Sequence, residues 1–289
     1  MCKQQGNFSK YNKFFIFYLH SGFTLFTIHF KRRYAMKGKC SALYPAIKWV
    51  VKVFSPEFTV VGAEQLPDES MIFVGNHAQM YGPIASELYA PGSHYTWCAG
   101  QMMHLKDVPD YAYQDFWAGK PKATRWFYKL LSYIIAPLSV CVFTNANTIG
   151  VYHDNRIVTT FKQTVQRLQE GHNVVIFPEC GVAHNHIVSQ FQDRFADVAK
   201  LYYKRTGKAV LFVPVYVAPN LKKLCLGEGI RYDPDIPMEQ QRQQICRHLM
   251  DTITKTACEL PAHRVVPYRN VAKKNYPLNK ESSYEKTGH

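Results

Sequence analysis

The chain has 289 residues, 47% of them hydrophobic and 19% charged, which is enough apolar side chain for one sizeable core and too little charge for a disordered protein. Thirty-five Lys and Arg against 21 Asp and Glu leave a formal charge of +14, which suits an acidic partner such as an anionic membrane surface or an acidic carrier protein. Nucleic acid is set aside, because the basic residues are spread along the chain with no zinc-finger spacing, recognition-helix signature or aromatic-basic RNA motif.

The first segment, Phe14–Ile28, is apolar and aromatic and is flanked by Lys13 and Lys31-Arg32-Arg33. It is barely long enough to span a bilayer. His20, Ser21, Gly22, Thr24, Thr27 and His29 dilute it further, and no small-residue cleavage site follows. Two readings stand for residues 1–35: an interfacial anchor, or a non-native extension with translation beginning at Met36. Residues 36–56 hold an amphipathic helix in which Leu43, Ile47, Val50, Val51 and Phe54 share one face and Lys48 and Lys52 another. Such a helix either lies in a headgroup layer or packs its stripe on its own domain.

An α/β domain is expected over residues 57–260. The apolar run Met71–Gly75 ends in Asn76-His77, and about a hundred residues later Val174–Phe177 breaks into Pro178-Glu179-Cys180-Gly181. One buried strand thus delivers an imidazole to a loop, and another a carboxylate. Between them, Gly100–Lys122 carries His104, Asp107, Asp110, Asp115 and Trp117, as a lid, part of a pocket or a packed excursion. Residues 123–136 read as a helix, Val140–Phe143 as a strand, Val158–Leu168 as a helix ended by Gly171, Phe191–Lys204 as a helix ended by Gly207, Val210–Val217 as a strand and Glu239–Glu259 as a helix.

Strands separated by helices predict a single three-layer domain with a mainly parallel sheet flanked by helices, preceded by the N-terminal apolar and amphipathic helices. Functional loops of such sheets gather at strand carboxyl ends, which is where His77, Asn145 and Glu179 are expected. The basic tail, residues 261–289, lacks a core of its own and either docks on the domain or touches acidic headgroups. Eight cysteines form no Cys-x-x-Cys pair, which fits reduced thiols in a cytosolic compartment. His184 and His186 have no third ligand at metal spacing and read as loop histidines.

Asn76-His77, Phe177-Pro178-Glu179, the lead-in Val60-Val61-Gly62-Ala63-Glu64-Gln65-Leu66-Pro67 and the late Val213-Pro214-Val215 together resemble the glycerolipid acyltransferase family of the 1-acylglycerol-3-phosphate type over residues 57–220. That family's hallmarks are Asn-His followed by four residues and Asp, then Phe-Pro-Glu-Gly. The chain departs from both: Gly82 stands where the aspartate would orient the histidine, and Cys180 displaces the glycine to Gly181. The family's second-block arginine has no counterpart in Cys141–Asn147, where Thr144, Asn145 and Asn147 are neutral; Arg156 is a cation from the helix that follows.

The resemblance implies acyl transfer, with His77 as general base towards an acceptor hydroxyl that attacks the thioester of acyl-CoA or an acyl carrier protein in one step. It implies that Glu179 holds the acceptor's hydroxyls and that Asn76 and the backbone near Gly181 steady the loops or the oxyanion. Phe177 and Pro178 flank the site, with Thr144, Asn145 and Asn147 on the head-group side. No metal or bound cofactor is implied. The acceptor is a glycerolipid of lysophosphatidate type, and the place of work is the cytoplasmic face of a membrane, peripheral or with one N-terminal anchor. The carboxylate missing from position 82 is expected at Glu87, one turn beyond Pro83, or at Glu179. The rivals are a catalytically degenerate lipid-binding protein and a hydrolase of thioesters or lipids.

Overall fold

The computed structural model describes residues 43–280; the expected anchor of residues 1–35, the alternative start at Met36 and the end of the tail lie outside them. The helix α1 (Leu43–Phe54) leads into β1 (Thr59–Val61). The main alternation follows: β2 (Met71–Gly75), α2 (Tyr81–Tyr89), β3 (His94–Ala99), α3 (Val108–Ala112), α4 (Arg125–Asn145), β4 (Thr148–Val151), α5 (Ile157–Gln169) and β5 (Asn173–Ile176). A hairpin of β6 (Glu179–Ala183) and β7 (Ser189–Phe191) precedes α6 (Asp197–Thr206), β8 (Leu211–Ala218), β9 (Lys223–Leu226), β10 (Ile230–Arg231) and α7 (Met238–Glu259).

The sheet runs β1-β9-β8-β2-β5-β3-β4, with β10 added to β8. Within this sheet, among the described residues, the antiparallel pairings are β8–β9 and β8–β10. All five residues of β2 are buried, as a central parallel strand covered on both faces requires. Ile72 and Val74 point into one core with Val165 of α5, Val198 of α6 and Leu249 of α7. Met71 and Phe73 point into a second core with Ala85 of α2, Phe58 and Val266. Helices thus cover both faces, and the fold is the expected three-layer α/β arrangement with a mainly parallel sheet.

One expected strand is corrected. Val140–Phe143 continues α4, and the strand is β4, a few residues later. The β-branched Val140 and Val142 have strand propensity, but the small residues Ala136 and Ser139 bury against Met102, whose carbonyl accepts the Ser139 hydroxyl at 3.2 Å, so packing overrides local preference. The helix expected from Phe191 begins at Asp197, after β7 and a 3₁₀ turn, and ends as expected on left-handed Gly207 (φ 70°).

Residues 261–280 dock on the domain. Val265 and Val266 are buried, and the fully buried Asn279 donates to the Ala257 carbonyl at 2.7 Å while accepting the His263 amide at 2.8 Å. The tail lacks its own core and uses that of the domain.

Candidate active site

At the end of β2 the chain leaves the sheet, and the Asn76 side chain continues the pairing that the backbone abandons. Its Oδ1 accepts the Val217 amide at 2.7 Å and its Nδ2 donates to the Val217 carbonyl at 3.2 Å. Asn76 is buried with both ends of its amide engaged, so it clamps the loop to β8, in keeping with the expected steadying of the loop; its amide is spent on Val217 rather than offered to a substrate.

The next turn is left-handed at two non-glycine residues, Ala78 (φ 45°) and Gln79 (φ 56°), a conformation that persists only where surroundings enforce it. It brings the Gln79 carbonyl onto Nδ1 of His77. A carbonyl only accepts, so Nδ1 carries the proton and Nε2 is the basic nitrogen. Burial lowers the pKa of His77 below its ordinary 6.5, with the Gln79 carbonyl and the charge of Asp115 opposing that shift. The ring is therefore neutral at pH 7.

Gly82 belongs to the same device. Its amide donates to the His77 carbonyl at 3.0 Å, and a Cβ at this position would stand 2.5 Å from that oxygen and 2.9 Å from the Asn76 carbonyl. No side chain fits there without moving the loop, so a backbone carbonyl rather than an aspartate fixes the imidazole.

Glu179 does reach across to the first loop, but it grips backbone. Oε2 accepts the His77 amide at 2.5 Å and Oε1 accepts the Ser189 amide at 2.8 Å. Burial pushes its carboxyl up to about 7, against the pull of those two donors. Its oxygens are thus engaged on backbone amides rather than on the His77 ring, in a side chain 4% exposed at the wall of the cleft.

Glu87 is likewise corrected: α2 begins at Tyr81 rather than at Pro83, and Glu87 Oε1 accepts from Lys48 Nζ at 2.7 Å and the Tyr44 hydroxyl at 3.1 Å, tying α2 to α1.

The neutral trio expected at the head group lies elsewhere. Thr148 is level with Phe73 across the sheet, through Thr96 and Val175. The residues before Thr148 therefore face the amino ends of the strands, whereas His77 lies beyond the carboxyl end of β2. The Thr144 hydroxyl donates to the Val140 carbonyl at 2.5 Å, Asn145 Nδ2 to Cys141 at 2.7 Å, and the Asn147 carbonyl accepts the Thr96 amide at 2.8 Å, so these residues finish α4 and start β4. The segment following a strand carboxyl end is Tyr152–Arg156, in which Arg156 forks onto Asp154 at 2.7–3.0 Å and lies 3.9 Å over the Tyr152 ring.

Phe177 meets the His77 ring edge-on at 5.4 Å, and the Pro178 carbonyl accepts the Gln192 amide at 2.9 Å. Gly181 lies in β6; its carbonyl accepts the Arg269 guanidinium, and it lines a groove with Pro267 and Tyr268, the latter of which also borders the His77 cleft.

Residues from the docked tail, which carry no mark in the sequence, and from the Gly100–Lys122 segment, one of whose expected readings is part of a pocket, complete the site. Tyr268, from the docked tail, meets the His77 ring edge-on at 5.8 Å, and the Gln79 side chain donates to the Tyr276 hydroxyl at 3.0 Å. Tyr111 and Asp115 line the same cleft, whose volume is about 2360 Å³. That exceeds the ~300–1,000 Å³ of ordinary ligand pockets. Among the described residues no three His, Cys, Asp or Glu side chains converge as metal ligands.

No family model and no curated protein matches the chain. Among solved structures it is similar to the 1-acyl-sn-glycerophosphate acyltransferase PlsC of Thermotoga maritima, with 18% identity over 82% of this chain and 88% of that one and a TM-score of 0.40.

Proposed function

We propose that this protein is an O-acyltransferase that moves a fatty acyl group from the thioester of coenzyme A or a carrier protein to a hydroxyl of a lysophosphatidate-like glycerolipid. The observation that carries this reading is the state of His77: a neutral imidazole, with Nδ1–H fixed on a backbone carbonyl and its own amide held by Glu179, lines a large cleft beyond a strand end. Nε2 takes the proton of the acceptor hydroxyl, the oxygen attacks the thioester carbon, the C–S bond breaks, and the proton passes to the leaving thiolate. Positioned proton transfer of this kind contributes about 10²–10⁴-fold in rate.

The substrate reaches the cleft from an anionic membrane surface on the cytoplasmic side. Two helices that line the cleft, α1 and α4, turn apolar side chains outward. In α1 no residue is buried, Lys48 is drawn inward to Glu87, and Trp49 and Phe54 are 65% and 83% exposed. In α4 the small Ser132, Ala136 and Ser139 face the domain, while Trp126, Tyr133, Ile134 and Leu138 face outward. Lys122–Asn145 is long and apolar enough to cross a membrane, but its buried small-residue face keeps it against the domain as an interfacial element. Apolar faces of this size mark contact surfaces, and the neighbouring exposed Lys52, Lys122, Arg125 and Lys129 suit anionic headgroups.

The test is a purified-protein assay with acyl-CoA or acyl carrier protein and a lysophospholipid presented on vesicles. Acceptor-dependent thiol release that disappears in His77→Ala is expected. Equal turnover in that variant, or release of free acid without an acceptor, overturns the reading.

A further inference from the structure

An imidazole that takes a proton during catalysis is stabilised by a negative charge within electrostatic reach. The carboxylates that the sequence offers for this are occupied elsewhere: Glu179 holds backbone amides, Glu87 holds Lys48, and position 82 has no room for a side chain. A third carboxylate enters from the segment after β3. Following α3, the chain opens into one π-helical turn, Tyr113–Trp117, a wide local geometry that recurs at functional sites. That turn carries Asp115 into the cleft lined by His77, Tyr111 and Tyr268.

Resting on the transferase reading above, we propose that Asp115 is a positioning residue for His77, supplying across the cleft the negative charge that the imidazolium meets once it has taken the acceptor's proton. Asp115 and His77 line one cleft; burial raises the Asp115 carboxyl above its ordinary 3.8 while the His77 charge pulls it back down, and burial lowers His77 while the Asp115 charge opposes that shift. The other titratable groups around this pair leave the role open. Burial pushes the hydroxyl of Tyr111, from α3, up to about 12, raises that of Tyr268, from the docked tail, and raises the Cys98 thiol of β3 to about 11, so all three are neutral at pH 7. The oxygens of Glu179, from β6, face the two amides. Because Gln79 already fixes the tautomer at Nδ1, Asp115 contributes through charge alone. Its removal therefore costs less than the ~10⁴-fold lost when a carboxylate that sets the tautomer is removed.

The experiment compares Asp115→Asn and Asp115→Glu with the parent, and Asp115 is exposed enough for both variants to fold. Two readouts are taken: the NMR titration of the His77 ring in the free protein, and kcat and KM across pH. Removing a negative neighbour disfavours the imidazolium, so in Asp115→Asn the ring titration moves to lower pH, together with the acid limb of kcat. With it, kcat falls by about 10–100-fold at constant KM, and Asp115→Glu recovers part of the loss. An unmoved titration overturns the proposal even if kcat falls, and so does a raised KM at constant kcat. Should the parent show no acyl transfer at all, the transferase reading falls, while the ring titration still decides whether Asp115 acts on His77.

Discussion

The carboxylate of Glu179 accepts the backbone amide of His77 at 2.5 Å, so the acid from the loop after β5 holds the peptide, not the ring, of the base at the end of β2. Its second oxygen takes Ser189 on β7, and a single side chain therefore sets the distance between the histidine loop and the β6–β7 hairpin.

Glu179→Gln tests that hold. Two amide donors face this side chain, and glutamine offers an acceptor to one and an NH2 to the other, leaving a buried donor unpaired at a cost of about 1–3 kcal/mol. Thermal and urea unfolding are expected to show the loss, with kcat falling more than KM rises; a Tm equal to the parent's would refute it. The pH dependence has a definite sign. The carboxyl is raised from 4.5 to about 7 in the folded protein, so the folded state binds this proton more tightly. The associated stability is complete below pH 4.5 and is lost as pH rises through about 7. The glutamine variant lacks that slope.

For His77 the sign is reversed. Its folded pKa lies below 6.5, so the unfolded chain binds the proton more readily and stability falls as pH drops below 6.5. Transfer rates are expected to fall along an acid limb with an apparent pKa under 6.5, measured as kcat/KM against pH. A limb above 6.5 would contradict a buried neutral base.

Gly82→Ala places a methyl group against the His77 carbonyl, 2.5 Å away. Overpacking of this kind costs about 1–3 kcal/mol, and here it also displaces the Gln79 carbonyl from Nδ1. Reduced Tm and reduced kcat are expected together. Gly82→Asp, which restores the resemblance on paper, is expected to lower turnover rather than raise it, and an increase would show that the loop accommodates the side chain.

Asn76→Ala leaves both the amide and the carbonyl of Val217 without the partners they have at 2.7 and 3.2 Å. A loss of about 2 kcal/mol or more follows from two unpaired buried groups. Hydrogen exchange at the Val217 amide is the direct measurement, and retained protection would show that the clamp is dispensable.

Combined Trp49→Ser, Phe54→Ser and Trp126→Ser substitutions remove exposed apolar surface and are expected to leave stability within about 0.5 kcal/mol. Co-sedimentation with anionic vesicles should drop at least tenfold and weaken further with salt. Unchanged sedimentation would place membrane contact elsewhere on the chain.

Much of this architecture is legible along the chain. Met71–Gly75 and Val174–Ile176 are central parallel strands and therefore continuous apolar runs, and Gly207 ends its helix because only glycine adopts φ 70° there at no steric cost. Val140–Phe143 misleads because propensity is local, whereas the packing of Ser139 on Met102 is not. Asp115 is legible only as one of several polar residues in a segment that could be a lid, a pocket wall or a packed excursion, because a π-helical turn leaves no spacing to read, and Tyr268 is silent because its tail is aperiodic.

The sequence by itself determined the chemical types available at each strand end: a histidine after β2, a carboxylate after β5 and no side chain at position 82. Only the tertiary structure decided whom each one meets, giving Asn76 to Val217, Glu179 to the amides of His77 and Ser189, and the His77 ring to Gln79. The reason is physical. A hydrogen bond depends on a few ångströms of separation in space, and residues as far apart in the chain as Asn76 and Val217 acquire that proximity only when the sheet closes.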